Sequence, residues 1–335
     1  MRRIVFTAIF ALVPLTATAA PSIPDIINNH ILPRFEALAD TSAALSQAAM
    51  QNCDPTAEDL RTAFGLAFDA WVSASHLRFG PTEVDDRAFA LAFWPDSRGA
   101  TPRVLASLIS DEDPIGLDAQ AYGEVSIAAR GFYALEFLLF DDDLAKAGNS
   151  AYHCDLIQTV AADIAATSTA IFDDWGANHI DVLLSPGADA TYRNNNEILQ
   201  EMLRALSAGL QITQESRLGR PLGTFERPRP NRAEARRSGR SARHVVLSLM
   251  SLQDLALHLA LSDAALTDTL NRQFKDAFAK VGTLNDPVFA GVADPQTRLK
   301  VEVISQSVGM IRDTVQSNLG PTLGVAAGFN SLDGD

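Results

Sequence analysis

The chain of 335 residues carries 41 acidic against 27 basic side chains, a formal net charge of −14, and 47% of its residues are hydrophobic. That length and apolar content allow one large or two ordinary domains. The acidic balance argues against nucleic acid and anionic membrane surfaces as partners, since both demand basic patches.

Met1-Arg2-Arg3, the apolar run 4–15 and Ala17-Thr18-Ala19-Ala20 read as a secretory signal peptide over residues 1–20, with a basic start, a short apolar core and a small-residue cleavage site. Cleavage after Ala19 or Ala20 removes Arg2 and Arg3, leaving 25 basic against 41 acidic residues. The expected location is a bacterial periplasm. No later segment is apolar enough to span a bilayer. Cys53 and Cys154 would then meet an oxidising compartment, and pairing them would close a loop of about 100 residues, worth ~4–5 kcal/mol in the chain-entropy picture. Spacing alone leaves a disulfide and two free thiols equally open.

From there the chain reads as helical almost throughout, because no run alternates apolar and polar residues long enough to argue for a sheet. The pattern predicts a helix from about Ile23 to Met50. A second is expected to start with Asp54 as N-cap and Pro55 in its first turn, striped by Leu60, Phe64, Ala67 and Trp71, and to end at Gly80-Pro81. Pro81 to Pro102 is then a long connection carrying Trp94-Pro95-Asp96-Ser97-Arg98, of a length that tends to cover a site; the plainer reading has Asp96 and Arg98 capping nearby backbone.

The stretch Val125–Phe140 has only Arg130 and Glu136 as charges and is apolar on nearly every face, so it belongs inside a bundle. Glu136 would sit in a dry interior, costly unless a cation, a metal or several donors meet it. Tyr133, three residues earlier, shares its helical face. Asp141-Asp142-Asp143 reads as a solvated helix end, followed by helices over about Tyr152–Trp175 and from Thr191 to the stop Arg217-Leu218-Gly219-Arg220-Pro221. After a proline-rich loop, Arg236, Arg240 and Arg243 fall on one helical face with Arg237 beside it; they bind an anion or, as preferred, pair with buried carboxylates such as Glu136 or Asp96. Asp294-Pro295 opens a last long helix ended by Gly320-Pro321, and Phe329 is expected to anchor the terminal tail between helices.

Gly131-Phe132-Tyr133-Ala134-Leu135-Glu136 resembles the Gly-x-His-x-x-Glu signature of the imelysin family, with tyrosine in the histidine slot. Further similar stretches follow in family order: Trp71, Arg78-Phe79-Gly80-Pro81, Trp94-Pro95-Asp96, the run Arg237-Ser238-Gly239-Arg240-Ser241, and the Gly328-Phe329-Asn330 to Asp333-Gly334-Asp335 tail. The resemblance implies an all-α fold of two helical-bundle halves, each like a four-helix bundle. These are expected over residues 21–180 and 181–335, with the tail docked on the second. It also implies a ligand site around Tyr133, Glu136, Trp94, Asp96, Arg98, Arg237, Arg240, Phe329 and Asn330.

In this family the His-x-x-Glu pair has been taken as a metal site, with Glu136 and Tyr133 the corresponding ligands here. A phenol with pKa near ~10 is a poor ligand for zinc or ferrous iron, whereas a tyrosinate can hold ferric iron. Any cofactor would then be iron or another divalent or trivalent metal ion. No nucleophile elbow, His-Glu-x-x-His zinc helix or phosphate loop occurs. The six histidines show no helical i, i+3 or i, i+4 pairing with one another. His258, four residues after Asp254, is either half of a metal site or, as preferred, part of a surface ion pair, and His76 reads as a cation at a helix end. The expected function is that of a non-catalytic periplasmic binding or accessory protein linked to iron uptake, with periplasmic or outer-membrane metal-uptake proteins as partners. A metallopeptidase and a structural partner protein with a degenerate site are the other readings.

Overall fold

The computed structural model describes residues 21–325; the leader and the terminal tail, with Phe329 and Asn330, lie outside the described residues. Everything regular within them is helical, with no strand, as the sequence pattern requires. Nine helices of ten residues or more make the frame: α1 (Leu32–Gln51), α2 (Glu58–Ala74), α3 (Ala100–Asp111), α4 (Gly131–Phe140), α5 (Ser150–Asp174), α6 (Asn195–Gln211), α7 (Ser241–Ala260), α8 (Ala264–Gly282) and α9 (Pro295–Thr314). A short helical lead-in, Ile23–Ile26, and a π-helical turn, Ile27–Ile31, run directly into α1. Among the described residues no helix is long and apolar enough to cross a membrane.

In the first part of the chain α1 packs against α2 and α5, with α4 laid onto α5. In the second part α7, α8 and α9 pack in sequence order, and α6 lies against α7 and α9. The join runs through α7, which also packs on α2. There Phe68 of α2 stacks on Phe132 of α4 at 4.9 Å and meets the His244 ring of α7 edge-on at 4.5 Å. Cys53 and Cys154 form a disulfide, Cα–Cα 5.1 Å, that ties the start of the α1–α2 connection to α5.

Several boundaries differ from the pattern, each for a local reason. Asp54 accepts from the Thr56 N–H at 2.7 Å and so closes a turn, and α2 opens at Glu58 instead. Gly80 does adopt the left-handed conformation (φ 59°), but α2 has already ended at Ala74. The connection Pro81–Pro102 is partly helical, holding turns over Gly80–Asp86 and Arg87–Leu91, and α3 begins within it at Ala100. The last helical run passes Gly320-Pro321 and stops at Gly324, φ 69°.

The correction that matters most concerns the apolar stretch. It is not one helix from Val125: a turn occupies Ile127–Ala129, Arg130 is extended, and α4 starts at Gly131. Arg130 instead reaches the buried Asp163 of α5 with two hydrogen bonds, 2.7 and 3.0 Å. Gly131 has φ 74°, and a Cβ there would lie 2.2 Å from the carbonyl oxygens of both Ala90 and Leu91. The glycine therefore lets the start of α4 press against the preceding connection, which sets the height of Tyr133 and Glu136. Gly131→Ala should lower unfolding stability by about 2–4 kcal/mol, from left-handed strain plus overpacking, measured as a shift of the urea midpoint at unchanged slope.

Candidate functional site

The turn that follows the proline-rich loop decides what the α4 carboxylate meets. Residues 234–240 do not continue α7 backwards; they fold into a turn in which Ala235 (φ 46°) and Gly239 (φ 73°) take left-handed conformations, closed by the Arg240 N–H on the Ala235 carbonyl at 2.9 Å. The turn crosses the face of α4 that carries Tyr133 and Glu136. Ser238 donates both its N–H (2.9 Å) and its hydroxyl (2.7 Å) to Glu136 Oε1. Among the described residues no hydrogen bond reaches Oε2. Glu136 is 2% exposed, and burial raises its carboxyl above the usual range against the pull of the Ser238 donors and the Arg237 charge.

Three residues back on the same face, the Tyr133 hydroxyl donates to Glu234 Oε1 at 2.6 Å. Glu234 Oε2 accepts from Arg217 Nε at 2.7 Å, and the His244 ring lies 3.3 Å from the same oxygen. Arg217 also donates to Ser248 of α7 at 3.2 Å, and Ser248 shares a 2.8 Å hydrogen bond with Thr213. All of these side chains are buried. Burial works to raise the Glu234 carboxyl, but the Arg217 guanidinium, the His244 ring and the Tyr133 hydroxyl outweigh it and hold it at about 2. Burial and then the Glu234 charge push the Tyr133 hydroxyl well above its ordinary value.

Tyr133 is thus a neutral donor. The tyrosinate that would hold ferric iron does not fit this site, because the phenol proton is already committed to a carboxylate that is itself committed to Arg217. Nor do three His, Cys, Asp or Glu side chains converge as a metal-holding group anywhere among the described residues.

Tyr133 and Glu136 line a cavity of about 230 Å³ together with Phe93, Trp94, Asp96, Arg220, Arg232 and Arg237. The Trp94 ring lies over Tyr133, centroids 6.2 Å apart and planes 21° from parallel; the Trp94-Pro95 peptide bond is cis. Five residues anticipated from the sequence therefore do line one cavity: Tyr133, Glu136, Trp94, Asp96 and Arg237. Two do not. Arg98 is exposed away from it, and Arg240 turns to Asp69 and the Gly65 carbonyl of α2, where Arg243 also pairs with Asp69 at 2.6 Å.

The preferred arginine pairing needs correction. Arg236 lies in the turn outside α7 and shares no helical face with Arg240 and Arg243, which do pair with a buried carboxylate, but with Asp69 and not with Glu136 or Asp96. Arg237 meets Asp141 at 2.6 Å, and no arginine donates to Glu136 or Asp96. Asp141 is therefore no mere solvated helix end. Asp96 accepts from the backbone N–H groups of Arg98 (3.3 Å) and Thr101 (2.9 Å), the capping role. Sequence reading overlooked Glu234, Arg217, Arg220, Arg232 and Ser238. A signal for one existed: Glu234 is the lone acid between Arg227 and Gln253, in a stretch with seven arginines.

A second buried polar cluster lies apart from this cavity. His30 Nδ1 is 2.7 Å from Asp254, His30 Nε2 is 2.9 Å from His76 Nε2, Arg34 donates to Asp254 at 3.0 Å, and His258 reaches Asp25 at 3.1 Å. Asp254 and His258, 3.8 Å apart, belong to this network and are not a simple surface pair. His76 is no helix-end cation: burial, then the neighbouring His30 and Arg34, drive it well below its usual value. Desolvation likewise lowers His30 to about 4. Since Asp254 only accepts, neutral His30 donates from Nδ1 and accepts from His76 through Nε2.

Set against known proteins, the chain matches the family model described as imelysin over residues 31–311. An imelysin-like protein from Psychrobacter arcticum 273-4 superposes with a TM-score of 0.77 at 21% identity, covering 92% of this chain and 96% of that one. A protein of Parabacteroides distasonis ATCC 8503, provisionally named an iron-regulated protein A precursor, superposes with a TM-score of 0.72 at 13% identity, covering 91% and 97% respectively. No curated protein matches the chain.

Two expectations follow. Removing either partner of the buried Arg217–Glu234 pair, by Arg217→Met or Glu234→Gln, should each destabilise by about 3–5 kcal/mol, with the double variant losing much less than the sum in a double-mutant cycle. For the histidines, the unfolded ring (6.5) binds a proton before the folded one (about 4), so the stability contributed by neutral His30 is whole above pH 6.5 and lost as pH falls toward 4. The fall should amount to roughly 3 kcal/mol in chemical unfolding across that window, and His30→Gln should shrink it.

Proposed function

The chain belongs to the imelysin family, and on that premise we propose that it is an exported, non-catalytic binding or accessory protein of iron uptake, working in the periplasm. It holds a small ligand in the cavity over Tyr133 and Glu136 and passes it to, or senses it for, metal-uptake proteins of the periplasm or outer membrane. The observation that carries this reading is the state of Glu136. Its carboxyl is buried, one oxygen is fixed by two neutral donors, and the other is free of hydrogen bonds in the lining of a cavity. A carboxyl kept in that condition is a recognition group in search of a ligand's donor.

The link to iron draws on the name of the Parabacteroides protein and on the fold it shares. The leader read over residues 1–20 and the Cys53–Cys154 disulfide support export, because disulfides persist in oxidising compartments. The non-catalytic reading rests on the committed hydrogen bonds: Tyr133 and Glu234 neutralise each other's chemistry, and neither is left to activate water.

Protein recovered from periplasm without an affinity tag and sprayed under native conditions should carry a small adduct that Glu136→Gln reduces at least ~10-fold. Casein incubated with it should remain intact. Hydrolysis of casein that disappears in Glu136→Gln would establish the peptidase reading instead, and an adduct indifferent to Glu136 would move the site elsewhere.

A further inference from the structure

The cavity lining carries charge that the protein leaves unanswered. Around the site the arginines generally find acids: Arg217 meets Glu234, Arg237 meets Asp141, and Arg240 meets Asp69. Arg220 and Arg232 meet none, as does Arg236 outside the cavity lining; among the described residues neither cavity arginine makes a hydrogen bond or ion pair, and Arg220 Nε, like that of Arg236, is buried without a partner. This happens in a chain with 41 acidic residues to draw on. The two guanidinium groups are also close enough to oppose each other: burial, then the Arg232 charge, lower the Arg220 pKa. Arg232 is exposed to solvent while Arg220 is half-buried with an unpaired N–H, so the pair offers a partly desolvated positive site that a negative group would complete.

Arg220 is nonetheless held in place, its guanidinium 5.8 Å above the Trp94 ring. Its planar fork matches the oxygens of a carboxylate or phosphate. Asp96, the acid on the same cavity, does not compete for it, since its oxygens already accept from the backbone of Arg98 and Thr101.

We propose that the cavity recognises a small oxyanion, a carboxylate or phosphate group gripped by Arg220 and Arg232 beside Trp94, with a hydroxyl or amine of the same molecule reaching Glu136. This rests on the binding reading above and names the class of its ligand: an anionic compound, such as a hydroxycarboxylate carrying its metal, in place of a bare cation. The uncommitted Glu136 oxygen supplies the acceptor for the donating end, and the guanidinium pair supplies the counter-charge for the other.

The test is calorimetric titration of the full mature chain with sodium citrate, ferric citrate, inorganic phosphate and ferric chloride. Citrate, free or with iron, should bind; Arg220→Gln and Arg232→Gln should each weaken it at least tenfold, the double variant more, and Arg232→Lys should restore part of the loss. Neither arginine makes a hydrogen bond or ion pair to the protein, and Arg232 is exposed, so Arg232→Gln should keep or raise the melting temperature without ligand, and citrate should raise it more in the wild type than in either glutamine variant. A purely structural role would instead lower the melting temperature of unliganded Arg232→Gln. Failure of both citrate and phosphate to bind, or equal binding by the double variant, overturns the proposal. If the native adduct of the periplasmic protein proves to be a metal cation or a neutral molecule that still depends on Glu136, the binding function stands and the oxyanion assignment alone falls.

Discussion

Two carboxylates placed where water does not reach govern the middle of this molecule. Glu136 and Glu234 are each 2% exposed, yet they are satisfied in opposite ways. Glu234 is ionised and receives a guanidinium, a phenol and a nearby imidazole, so its charge is answered at short range. Glu136 receives two neutral donors on a single oxygen, which favours its ionised form only weakly against burial. One acid is structural cement and the other retains capacity for a ligand. That difference in donor set, more than any difference in depth, separates a stabilising group from a recognising one.

Holding the two acids side by side requires parts of the chain about one hundred residues apart to meet with close tolerance. Gly131 lets α4 start hard against the Ala90 and Leu91 carbonyls. The turn at 234–240 delivers Glu234 and Ser238 to successive positions along α4, and the left-handed residues Ala235 and Gly239 are what bend it. Phe68, Phe132 and His244 close the apolar side of the same junction. The site is therefore a product of the joint between α2, α4 and α7.

Tyr133, which stands in the histidine slot of the signature that residues 131–136 resemble, acquires a physical meaning in this arrangement. An imidazole at that position offers a lone pair; a phenol between a buried carboxylate and an aromatic ring offers a proton. Tyr133 gives that proton to Glu234 and its ring face to Trp94. With a committed donor at Tyr133 and guanidinium groups among the cavity lining, the chemistry here suits the anion proposed above better than a bare cation.

Local sequence was sufficient for the all-helical class and for most of the long helices, because 3.6-residue periodicity and caps such as Asp294 at α9 act within one or two turns, though α3, α8 and several boundaries escaped it. It also sufficed to single out Glu136 as an acid in an apolar helix needing a partner, and to name five residues that line the cavity with it. What it left open, or read otherwise, depends on encounters at long range. Whether Cys53 meets Cys154, whether Arg240 turns to Asp69 or to the cavity, whether His30 stacks its nitrogens between Asp254 and His76, and whether Ser238 or an arginine answers Glu136 were all settled by packing. Periodicity reports which face of a helix is buried. The identity of what is buried against it is fixed only when distant segments compete for the same space, and here a tight turn brought a serine to the acid while the arginines beside it were carried elsewhere.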